Sequence, residues 1–195
     1  VISIALIALI VVVGGYWGFK KLYMAPLQEE AQETIFHAQQ HFQADSFKLA
    51  LEGDGMNPGF LEIMDQYGAT KAGELAEYYA GVCYLKTGEY ESAIDLLSDF
   101  STDEPFLQAT ALGATGDAYL EAGDKDSAIE WYQKAIDSEN EMITPHYLFK
   151  LGLLYENDGQ KEEAIEAYTR IKEDYEDSYE ARDIDKYLTR VKISG

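Results

Sequence analysis

Glu33, His37 and His41 stand four residues apart, so on a helix one carboxylate and two imidazoles share a face, a set that zinc can use. No fourth ligand accompanies them, and no glutamate adjoins the first histidine as it does in zinc proteases. The expected reading is a solvated helix face and no metal; a metal-dependent enzyme on His37 and His41 would have to show stoichiometric zinc. Gly53-Asp54-Gly55 puts a single aspartate in a turn, without the alternating acids and closing glutamate of a calcium loop. Cys83 is the only cysteine, which excludes an intrachain disulfide and a multi-cysteine zinc site; beside Ala80, Gly81 and Tyr84 it reads as a small buried thiol. A nucleophile elbow, a phosphate loop and a dinucleotide fingerprint are all missing, and acid pairs such as Glu162 and Glu163 fall on the outer face of a helix. These residues predict a chain that binds without catalysing and needs no cofactor.

The charge balance narrows what it can bind. Of 195 residues 47% are hydrophobic, enough for a real core, while 36 acids against 15 bases give a net charge of -21. Every charged residue follows Phe19. Such a field repels phosphate backbones, so nucleic acid is not an expected partner.

The residues before Lys20 carry no charge. As a helix they reach roughly 28 Å, close to the thickness of a hydrocarbon core. Tyr16, Trp17 and Tyr23 bracket Lys20 and Lys21, the aromatic and basic arrangement of a helix leaving a membrane. The apolar run exceeds a signal-peptide core, no small-x-small cleavage motif follows it, and no cysteine stands near the start to carry lipid. Residues 1–23 are therefore expected to be a permanent transmembrane anchor. By itself the lysine pair favours a cytoplasmic soluble part.

Elements that position side chains emerge from a repeat. Gly81, Tyr84, Gly88, Ala93 and Ile94 recur as Gly116, Tyr119, Gly123, Ala128 and Ile129, and again as Gly152, Tyr155, Gly159, Ala164 and Ile165. This order resembles the tetratricopeptide repeat (TPR), a helix-turn-helix unit of about 34 residues. Steric logic assigns the positions: the first glycine lets helices A and B approach, the tyrosine fills space between repeats, the second glycine ends helix A in a left-handed conformation, and the alanine sits where the helices cross. Leu97, Tyr132 and Tyr168 complete the buried stripe of helix B.

The expected architecture is an all-α TPR solenoid preceded by one transmembrane helix. Its parts are a linker and degenerate first repeat at 24–73, repeats at 74–108, 109–144 and 145–177, and a capping helix and tail at 178–195. In the degenerate repeat Phe36, Phe42, Phe60 and Ile63 form the apolar stripe and residues 45–58 are an insertion. Pro145 restarts a helix with Thr144 as its cap.

Repeat register places Tyr78, Val82, Leu85, Asp117, Leu120, Phe149, Leu153 and Glu156 on the concave face, where a solenoid of this kind binds protein segments. TPR proteins that clamp a C-terminal carboxylate use Lys, Arg and Asn there, and the corresponding Tyr78, Gly113 and Phe149 supply none. Carboxylate clamping is not expected.

The order of anchor, proline-containing link, degenerate repeat, three repeats and cap resembles the YfgM-like family of bacterial inner-membrane proteins. Ala-Leu-Glu-Gly-Asp-Gly at 50–55, Gly-Ala-Thr-Lys-Ala-Gly at 68–73 and Glu-Ala-Arg-Asp-Ile at 180–184 look like its Bacteroidota version. The resemblance implies a single-pass protein with its soluble domain in the periplasm, held beside the Sec translocon as an ancillary subunit. It would work there with a membrane-anchored, isomerase-like chaperone in protein export. A scaffold for outer-membrane protein insertion or cell-wall coordination is the alternative; such proteins are commonly lipoproteins or cleaved precursors, so the mass of the mature protein separates the two.

Overall fold

Many helices of this chain start at or just after a proline or a polar residue, and several stop at a glycine. A computed structural model describes residues 2–193, with side chains from residue 11 onward. It contains α1 (Ile2–Phe19), a π-helical turn (Lys20–Met24), α2 (Ala25–Gln43), α3 (Phe47–Glu52), α4 (Phe60–Tyr67) and α5 (Lys71–Thr87). There follow α6 (Tyr90–Asp99), α7 (Pro105–Glu121), α8 (Lys125–Ile136), α9 (Thr144–Asn157), α10 (Lys161–Asp174), a 3-10 turn (Glu180–Asp183) and α11 (Ile184–Ile193). No strand occurs among the described residues, which hold one isolated bridge between Gly53 and Pro58. Two compact units form, Val1–Cys83 and Tyr84–Gly195, and the division falls inside α5.

Among the described residues no helix is long and apolar enough to cross a membrane. The expected anchor, residues 1–23, includes ten residues whose side chains lie outside the described set.

In the first unit α2 buries Ala31, Ile35 and Ala38, one side of a helix at spacings of four and three. Small residues there let α3 and α4 pack closely against it. Phe60 and Ile63 are fully buried, as expected, whereas Phe36 is 54% exposed and leaves the predicted stripe. The reason is angular: Phe36 directly follows the buried Ile35, about 100° around the helix. Phe42 joins an aromatic cluster, 6.3 Å from the Phe60 ring and 4.8 Å from Tyr79, which stacks on Phe60 at 5.1 Å.

The expected insertion also takes structure. Ala50 and Leu51 of α3 are buried, so residues 45–58 add to the core. Asp54 closes their turn by accepting the backbone N–H of Asn57 at 2.7 Å and of Met56 at 2.8 Å. Those bonds, Asn57 first, hold its carboxyl well below the usual aspartate range.

In the second unit each helix from α6 to α10 packs on its successor, the nearest-neighbour stacking that builds a solenoid. Gly88, Gly123 and Gly159 have φ of 84°, 89° and 75°, values that penalise any side chain. Each ends its helix the same way. The residue after the glycine donates its N–H to the repeat tyrosine's carbonyl: Glu89 to Tyr84 at 2.9 Å, Asp124 to Tyr119 at 2.9 Å and Gln160 to Tyr155 at 2.8 Å. Ala93, Ala128 and Ala164 are fully buried.

Thr144 is not the cap of α9. Its hydroxyl donates to the Ile136 carbonyl at 3.4 Å, while Asn140 Oδ1 accepts from Met142 N and Ile143 N at 3.0 and 3.1 Å and shapes the approach to the helix. At the chain's end Ser178 Oγ accepts from Ala181 N at 3.2 Å. The expected cap therefore begins with a 3-10 turn, and α11 buries Ile184, Leu188 and Val191.

Candidate protein-binding groove

Glycines on the A helices make room for rings. A Cβ on Gly116 would stand 2.6 Å from the Tyr132 ring, one on Gly152 would stand 2.3 Å from Tyr168, and one on Gly113 would stand 1.7 Å from Tyr147. The first glycine of the repeat is thus a seat for the large residue of helix B, and Gly113 is a second seat, for the ring of the following A helix. Tyr132 is fully buried and stacks on Tyr147, centroids 5.4 Å apart.

A buried phenol needs a partner for its hydroxyl. Tyr132 donates to Asp117 Oδ1 at 2.5 Å, and Lys150 Nζ donates to the same oxygen at 2.5 Å. Lys150 also lies 5.7 Å above the Tyr132 ring and 5.5 Å from that of Tyr147, which adds cation-π attraction. Burial first and the Asp117 carboxylate second push the Tyr132 phenol far up, so it stays a donor.

Above this arrangement lies an open concavity of about 550 Å³. Leu85, Asp117, Leu120 and Leu153 line it, four of the eight residues predicted for the concave face. Lys86, Tyr90, Glu121, Tyr132, Lys150, Leu154 and Asn157 complete it. Two cations and two carboxylates balance there, in a protein of net charge -21. Chemically it is a leucine-lined trough with balanced charge along its sides, suited to the apolar face of a peptide segment.

The other predicted residues go elsewhere. Val82 is 8% exposed and is a core residue, with no surface to offer a partner. Tyr78 belongs to the first unit and stands 5.5 Å from the Tyr79 ring. Phe149 packs 6.1 Å from Tyr168 and 4.8 Å from Tyr187, so it fills the joint between the third repeat and α11. Glu156 is bound by Arg190 through Nε and Nη2, both at 2.6 Å, and accepts the Tyr168 hydroxyl at 3.1 Å. Arg190, ahead of the opposing effect of burial, holds the Glu156 carboxyl below the ordinary 4.5. Both residues leave the groove for one reason: α11 covers the third repeat, where a further repeat would otherwise extend the trough.

Lys150, Lys86 and Asn157 did not emerge from the sequence as groove residues. The first two repeats hold Tyr79 and Ala114 at the position of Lys150, so register gives no warning of a cation. The histidines divide: His41 Nε2 lies 3.3 Å from Asp54 Oδ2, while His37 packs edge-on to Phe36 at 5.8 Å. Among the described residues no three of His, Cys, Asp or Glu are grouped to hold a metal. Cys83 is buried, and burial pushes its thiol up to about 12.

Comparison with protein-family models matches tetratricopeptide repeats at residues 75–105, 106–142 and 147–178, together just over half of the chain. No curated protein matches the sequence. Three matched units, each closing its first helix on a left-handed glycine, place this chain in the tetratricopeptide-repeat family.

Proposed function

We propose that this protein is a non-catalytic adaptor, held to the bacterial inner membrane by residues 1–23, that grips a partner protein in the trough between Leu85 and Leu153. The observation that carries this reading is the charge-balanced, leucine-lined concavity on TPR helices; apolar anchors in a concave surface depleted of net charge are what a peptide segment's apolar face needs. Support for the anchor comes from the uncharged start of the chain and from Val11, Val12, Val13, Tyr16, Trp17, Phe19, Leu22 and Tyr23, all exposed.

The resemblance to YfgM-like proteins extends the proposal: the soluble domain is periplasmic, and its partners are Sec translocon subunits and a membrane-anchored, isomerase-like chaperone. Tethering would raise the trough's local concentration near the channel, an advantage independent of intrinsic affinity. A photocrosslinking residue at Leu120 of the full chain in native membranes tests both parts. Adducts with a translocon subunit or the chaperone, lost when Leu153 is replaced by glutamate, are expected. Recovery of neither would overturn the translocon assignment, and adducts indifferent to Leu153→Glu would overturn the trough.

A further inference from the structure

Lys20 and Lys21 sit where the chain's charge changes sign. Residues 1–28 hold these two lysines and no acid, so the residues that follow carry a charge of -23 and the whole chain -21. Among the described residues neither lysine has a carboxylate partner within ion-pair distance, unlike Lys71, Lys125, Lys150 and Lys172. Lys21 Nζ instead lies 5.0 Å from the Trp17 ring centre, and Phe19 stacks on Tyr23 at 5.3 Å.

Between α1 and α2 the backbone widens into the π-helical turn Lys20–Met24, and beside it lies a cleft of about 540 Å³. Tyr16, Phe19, Met24 and Ala25 give it apolar walls, and Lys20 and Gln28 stand at its rim. An apolar cleft with a cationic edge, at the end of an uncharged helix, has the polarity of a glycerophospholipid: chains on one side, phosphate on the other.

We propose that this cleft seats an anionic phospholipid, its headgroup phosphate against Lys20, with the charge of Lys21 close by in sequence, and its glycerol and upper acyl region against Tyr16, Phe19 and Ala25. The inference rests on the membrane-anchor reading. It makes the base of α1 a lipid-selective contact that holds an acidic domain at a negatively charged surface.

Trp17 is a built-in reporter, and Trp131→Phe in the full chain leaves it as the single tryptophan. The protein is reconstituted into phosphatidylcholine vesicles containing either brominated phosphatidylcholine or brominated phosphatidylglycerol, and Trp17 quenching is compared. Stronger quenching by phosphatidylglycerol is expected, with a preference of about fivefold per lysine that Lys20→Gln with Lys21→Gln abolishes. Ala25→Leu narrows the cleft without changing charge and is expected to lower the preference as well. Equal quenching by the two lipids would overturn the inference while leaving the anchor standing; no quenching by either would overturn both. A preference that survives the lysine pair would overturn the assignment of the phosphate contacts, and one untouched by Ala25→Leu would reduce the cleft to a diffuse field.

Discussion

Asp117 in the second repeat and Glu156 in the third each accept the hydroxyl of the buried tyrosine of their own B helix, and each is paired with a cation from 33 or 34 residues further on. Their surroundings differ. Asp117 and Lys150 lie on an open trough, while Glu156 is held by two nitrogens of Arg190 on α11. The same device therefore stands open in one repeat and is closed over in the next. What separates them is the cation: a flexible ammonium contributes one bond and can be drawn away by a ligand, whereas the planar guanidinium makes a two-point bond that fixes a helix. α11 covers the third repeat and brings the arginine that holds Glu156.

Glycine seats underlie both centres, and breaking one should have the largest effect. Gly152→Ala, whose Cβ would stand 2.3 Å from the Tyr168 ring, should cost about 3 kcal/mol by overpacking and lower the thermal midpoint followed by circular dichroism. Adding Tyr168→Leu, the residue type the first repeat carries as Leu97, should recover much of that loss. If the double variant is no more stable than the single one, the ring is not what the glycine accommodates.

The two cations come next. Arg190→Met should destabilise by about 1 kcal/mol, a value discounted because Arg190 is 46% exposed. It should also raise amide exchange in α11. Lys150→Met should cost less than Arg190→Met and leave α11 unchanged, yet alter partner crosslinking in the trough. Equal effects of the two on α11 would erase the distinction between open and closed centres.

A pH series sharpens the same point. The Glu156 carboxyl is held below 4.5 in the folded protein, so its contribution is fully present above the unfolded value and is lost as pH falls through the lower folded one. The difference in thermal midpoint between the wild type and Glu156→Gln should be constant above about pH 5 and close on further acidification. A difference that grew toward acid would reverse the sign. The smallest effect belongs to Asp124, which caps α8 by accepting from Ser127 N at 3.1 Å. Asp124→Ala should lower the midpoint slightly and leave both centres intact, which calibrates the loss of a cap against the loss of a pair.

Local rules carried the sequence far where one residue type has one physical use. Gly88, Gly123 and Gly159 had to close helices because few other residues tolerate positive φ, and Ala93, Ala128 and Ala164 had to be buried because helix crossings admit small side chains. The repeat, its helix order and the cap follow from such positions. Phe36 misled because an aromatic in a degenerate helix has no period to place it, and α3 was hidden because a short helix in a region of two turn glycines leaves little periodic signal.

The groove lay between these extremes. Leu85, Asp117, Leu120 and Leu153 were legible because register carries a face from one repeat to the next, whereas Val82, Phe149 and Glu156 depended on which neighbour covered them. The amino-acid order by itself determined the repeat helices, their stops at Gly88, Gly123 and Gly159, and the charge contrast between residues 1–28 and the rest. Tertiary structure alone decided which carboxylate meets Lys150, which meets Arg190 and which face stays open, because those partners stand more than thirty residues apart and are brought together by stacking.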